Sequence, residues 1–152
     1  MTRTHILAAS LALITICTFW LSTVTTELFL SHAAVIALKT ALPWGFLVLI
    51  PAMAIAGITG NKLARGRNGG LIGTKLKRMK LIAANGLLIL VPSALFLAWR
   101  AGQDDLDAAF YAVQALELVA GAANITLLAL NMRDGRKLTA GKRRARAARG
   151  DL

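Results

Sequence analysis

Apolar residues fall in four runs, each long enough to cross a bilayer as a helix, separated by short polar or charged stretches. A span needs about 20 mostly apolar residues, and hydrocarbon offers no water to open backbone groups, so helices are expected. The runs predict spans at about 6–26, 42–63, 81–99 and 108–130. The expected fold class is all-α: an integral membrane four-helix bundle over 1–132, with a basic tail over 133–152.

The last run, AAFYAVQALELVAGAANITLLAL from Ala108 to Leu130, is the one the others are expected to pack around. Gln114, Glu117, Gly121, Asn124, Leu128 and Asn131 recur at steps of three and four, which lines them along one stripe of a helix. A carboxyl group near the middle of a span is costly and normally faces a bundle interior or a wet cavity. The stripe is therefore expected to face protein.

The other runs carry weaker polar signals. The first is rich in hydroxyls, with Thr15, Thr18 and Ser22 on one face and Thr25 and Thr26 continuing it. Such groups bond back to their own helix or across to another. STVTTE, at its end, is a poor cleavage site, so this run is expected to remain as a span. The segment Glu27 to Lys39 reads as a short interfacial helix between the first two spans, or as an outward extension of the second, with Glu27, His32 and Lys39 at headgroup level. In the second run Pro51 predicts a kink, and Ala52, Ala56 and Gly60 form a small-residue packing face. In the third, Asn85 lies near the start, Pro92–Ser93 near the middle, and Trp99–Arg100 forms an interfacial anchor. Asp104 or Asp105 is expected to cap the last helix.

Depth along antiparallel helices, at about 1.5 Å per residue, brings some of these groups level. Asn85 and Asn124 are expected to meet. Glu117 is level with Thr18 and Ser93, which suggests a polar pocket of Glu117, Gln114, Thr18, Ser22 and Ser93. In its blandest form this is a neutral Glu117 hydrogen-bonded to its neighbours, serving only to fix helix register.

Composition agrees with the pattern. Of 152 residues 57% are hydrophobic, and mean hydropathy is +0.62, above what a soluble domain carries. The net charge of +11 lies between and after the apolar runs, so topology explains it more simply than nucleic acid does. Seven basic residues, Lys75, Lys77, Arg78 and Lys80 among them, fall in 61–80, and eight, including Lys142, Arg143, Arg144 and Arg146, fall in the tail. Only Lys39 and Arg100 of the 18 flank the opposite side, beside Glu27, Asp104, Asp105 and Asp107. The positive-inside rule then puts both termini in the cytoplasm of an inner-membrane protein.

Candidate chemistry is sparse. Cys17 is the only cysteine, which excludes an internal disulfide and a cysteine-based zinc site. Haem b would need axial ligands, but His5 and His32 sit at opposite faces, roughly 30 Å apart across the hydrocarbon. By depth alone, His5 with Met79 or Met132 is the remaining pairing, and a quinone in the polar pocket is a further cofactor reading. In size and span number the chain is similar to small multidrug transporters, which use one membrane glutamate to exchange protons for cations. Their glutamate is on the first helix, whereas Glu117 is on the last. The reading that asks for the fewest special residues is an accessory or assembly subunit. Its partners would be anionic lipids, another membrane protein or a second copy, with the basic loop and tail as the contacting surface. Metal and hydrolase motifs are absent, so no enzyme is expected.

Overall fold

The computed structural model describes residues 2–66 and 69–147, and of residues 2 and 142–147 only the backbone. Among them the chain is all-helical, with no strand. Helix α1 covers Thr2–Phe29, α2 His32–Ala41, α3 Phe46–Ala64, α4 Gly70–Asn85, α5 Val91–Gly102 and α6 Ala108–Ala147. A 3₁₀ turn, Leu42–Gly45, joins α2 to α3, and a π-helical segment, Gly86–Leu90, joins α4 to α5. These stretches make four helical runs long and apolar enough to cross a membrane: Arg3–Phe29, His32–Ala64, Gly70–Gly102 and Ala108–Gly141.

Prolines account for both joints. Pro43 enters at the start of the 3₁₀ turn, where a missing N–H costs least. Pro92 cannot donate, and its ring crowds the carbonyl four residues back, so the preceding turn widens to π geometry. Pro51 is held inside α3. Ser31 starts α2, its side chain accepting from the Ala34 amide. At the far end of α3 the chain turns through Arg65 and Gly66, both at positive φ.

Helix α1 packs along α3 and α6, α2 lies on α5, and α4 runs along α6. Ala8, Ala12 and Ile16 are buried on α1, and Ala52 and Ala56 on α3. This small-residue contact brings the His5 ring of α1 onto the Ala56 carbonyl and the Thr59 hydroxyl of α3, both 3.1 Å away. Outward faces carry large apolar side chains such as Leu7, Leu47, Leu87 and Val119, as a lipid-facing surface requires.

The two ends of the bundle differ. One is basic and gathers His5, Lys75, Arg78, Asn131 and Asp134. At the other, Val35, Leu97, Ala101 and Phe110 form a buried cluster beneath the turn that joins α5 to α6. In this turn Arg100 pairs with Asp105 at 2.8 Å and also with Asp107, and its guanidinium lies 5.9 Å from the Trp99 ring. The cap of α6 is Asp107, not Asp104 or Asp105: its Oδ1 accepts the Phe110 amide at 2.9 Å. The helix begins at Ala108, so only residue 107 can reach the third amide, while Asp104, at φ 57, turns away to His32.

Candidate functional site

The α6 stripe is covered by the other helices. Gln114, Asn124 and Asn131 are buried, and the same face continues one turn further to Asp134, also buried. Most of these groups reach a partner on another helix.

Glu117 meets a residue placed elsewhere on sequence grounds. Its Oε2 lies 2.6 Å from Nζ of Lys39, near the end of α2. The Lys39 side chain is 1% exposed and that of Glu117 15%. Lys39 is therefore buried among the helices, and Glu117 has an ammonium as partner rather than neutral neighbours alone. Lys39 gets there because α2 runs through the Leu42–Gly45 turn into α3 as one helical course from His32 to Ala64. Residue 39 is then two turns inside that course. Its Nζ also reaches Thr23 Oγ1 of α1, at 3.5 Å. Two charges removed from water are tolerated only when paired with good geometry, and this pair meets the condition.

The expected hydroxyl lining is different in detail. Thr18 is exposed and donates to the Ile14 carbonyl of its own helix. Ser22 is half-buried, its carbonyl taking the Thr26 hydroxyl. Ser93 is buried on α5, but no hydrogen bond joins it to Glu117 among the described residues. The face of α1 that meets α6 carries Trp20 and Thr23: the Trp20 indole donates to the Leu118 carbonyl at 2.9 Å, and its ring would crowd a Cβ at Gly121, 3.1 Å away. Gln114 Oε1 is buried without a partner among the described residues.

One level down, Asn85 and Asn124 are in contact. Asn85 Nδ2 donates to Asn124 Oδ1 and to the Ala120 carbonyl, both at 2.8 Å, and Asn124 Nδ2 reaches the Ile82 carbonyl at 3.3 Å. At the basic end Lys75 Nζ donates to the Asn131 carbonyl at 2.9 Å, and Asn131 Nδ2 to the Lys75 carbonyl at 3.3 Å. Arg78 pairs with Asp134 at 2.6 Å. Lys75 and Arg78 are thus engaged by α6, whereas Lys77 and Lys80 are exposed. The side chains of Lys142, Arg143, Arg144 and Arg146 lie outside the described residues.

The histidines are far apart. His5 is near the start of α1 and His32 lies beyond its other end, some 27 residues on, or about 40 Å along a helix. His32 Nε2 contacts Asp104 Oδ1 at 2.8 Å. His5 and Met79 both border Gly60, but His5 Nδ1 is already engaged by α3; Met132 lies beside Arg136. Neither histidine is arranged to clamp a haem with the other. Among the described residues no group of three His, Cys, Asp or Glu side chains gathers at one point.

Between the helices, at the level of Glu117, lies a small crevice. Phe19 and Trp20 of α1, Phe46 of α3, Leu90 of the π segment, Ala94 of α5 and Glu117 of α6 contribute to its wall. The wall is apolar except at Glu117 and Thr23. Set against protein-family models, curated proteins and solved structures, the chain matches none of them.

Proposed function

We propose that this chain is a multi-pass inner-membrane protein, both termini cytoplasmic, that acts as an interaction or assembly subunit. The observation that carries the reading is how the α6 stripe is used. Both of its acids, the partly buried Glu117 and the buried Asp134, are paired with a cation of another helix in the same chain, Lys39 and Arg78. Asn85–Asn124 and Lys75–Asn131 add reciprocal bonds between α4 and α6. Polar groups so engaged fix depth and register, and leave the lipid-facing surfaces for partners. The orientation rests on the charge of 61–80 and of the tail, against the acidic turn at 104–107. In that orientation exposed Lys77 and Lys80 face anionic headgroups, each contributing about 1 kcal/mol near such a surface.

The test is site-specific photo-crosslinking in native membranes from Leu7, Leu47, Leu87 and Val119, one on each span. A discrete protein adduct from one face, absent from the others, is the expected result. Lipid adducts from all four positions, together with a Glu117-dependent proton or cation flux in proteoliposomes, would replace the reading with transport.

A further inference from the structure

We propose that His5 Nε2 and the Met79 thioether form a binding site for a soft monovalent metal ion, copper(I), where α1, α3 and α4 meet over Gly60. The two side chains come together from different helices. His5 Cε1 and Met79 Sδ lie 3.1 and 3.2 Å from the point where a Cβ of residue 60 would stand. The glycine thus opens the space that the imidazole and the thioether share, and a side chain there would push one of them aside. Both residues are half-buried, so the space is not sealed from an entering ion.

The hydrogen bonds of His5 decide which ring nitrogen is free. Nδ1 faces two oxygens at 3.1 Å, the Ala56 carbonyl and the Thr59 hydroxyl. The Thr59 proton is committed to the Ile55 carbonyl at 2.5 Å, so Nδ1 supplies the proton for both contacts. A neutral ring then carries its lone pair on Nε2, the nitrogen bonded to Cε1, and Nε2 has no hydrogen-bond partner among the described residues. Metal-binding histidines are oriented in this way, one ring N–H held by a backbone carbonyl and the other nitrogen bare.

The donor pair selects the ion. Imidazole with a thioether suits copper(I), whereas calcium and magnesium want oxygen, and structural zinc wants four ligands where these residues offer two. Lys75, whose charge acts on His5, opposes a divalent ion about twice as strongly as a monovalent one. An ion held by two atoms sits between them and needs no preformed cavity, and the unbranched methionine adjusts to close the distance. The site stands independently of the interaction reading above.

Copper(I) itself is the probe. The full-length protein in detergent, in a Cys17→Ser background that removes the thiol, is titrated anaerobically against the coloured copper(I)–bicinchoninate complex. The expected result is one copper(I) per chain withdrawn from the chelator, with no matching uptake of zinc. Met79→Leu and His5→Gln should each weaken binding by no less than the roughly tenfold that an outer-shell partner contributes. Met79→Leu is close in volume and carries the test even if His5→Gln unfolds, with circular dichroism reporting on each variant. X-ray absorption should show one sulfur and one nitrogen on the bound copper. No copper(I) uptake by the folded protein, uptake unchanged in a folded ligand variant, or zinc bound as tightly would overturn the proposal.

Discussion

Lys39 and Glu117 are 78 residues apart in the chain and 2.6 Å apart in space, a contact that ties α2 to α6 in the interior of the bundle. It sets the depth of both helices at once, because neither charge can move toward lipid without leaving the other unpaired. Further cross-links lie along the same face of α6 toward its other end: Asn124 to Asn85, Asn131 to Lys75, and Asp134 to Arg78.

The asparagine pair makes a first prediction. Asn124 is 1% exposed, and its side chain both accepts from Asn85 and donates to the Ile82 carbonyl. Polar pairs in membranes contribute on average roughly 0.6 kcal/mol and at most about 1.7. Asn124→Leu should therefore cost about 1–2 kcal/mol, measured by reversible unfolding in mixed micelles.

Gly45 is required by a close approach. A Cβ there would come within 2.2 Å of Cζ of the Phe19 ring, which also lies 6.3 Å, centroid to centroid, from Phe46. Gly45→Ala should cost about 1–3 kcal/mol as an overpacked contact. Combining it with Phe19→Leu should cost less than the sum of the two single changes, and the double-mutant cycle reads that coupling.

Asp107 gives a pH dependence with a defined sign. The Arg100 hydrogen bond, followed by the Phe110 amide, holds its carboxyl below the ordinary value of 3.8. A carboxyl lowered in the folded state stabilises above its unfolded value, and this stabilisation is lost as pH falls through the folded value. The melting temperature of the wild type should drop more steeply than that of Asp107→Asn between about pH 4 and pH 2, a window set by that reference value. Parallel curves would contradict the assignment.

Orientation is open to chemical labelling. In a Cys17→Ser background, a cysteine at exposed Asp104 should react with an impermeant maleimide added to whole spheroplasts. A cysteine at Lys77 or Arg136 should react only after the membrane is opened.

The α6 stripe was legible because a helix of known rise turns steps of three and four into one face. Asn85 and Asn124 were legible as neighbours for the same reason, since the spans that hold them start near recognisable charge boundaries. Lys39 was not legible as the partner of Glu117. Charge counting assigns a lone lysine between two apolar runs to the surface, and only the continuous course from His32 to Ala64 brings it inside. Pro43 marked the start of a span in the sequence, whereas in the fold it marks a turn within one. The threonine pattern points to the face of Thr18, but the face of α1 that meets α6 carries Trp20 and Thr23, with the Trp20 ring beside Gly121, which no pattern of threonines encodes. Asp107 was missed as the cap because three aspartates stand within four residues and only the start of α6 chooses among them.

Glu117 is held by Lys39 inside the bundle, and a double-mutant cycle tests this most directly. Removing one partner of a buried pair typically costs about 3–5 kcal/mol, while replacing both by apolar residues of similar volume is often neutral or stabilising. Lys39→Met and Glu117→Leu should each lower unfolding stability by that amount, and the double variant should return close to the wild type. Losses that simply add, or single variants indistinguishable from the wild type, would contradict the account.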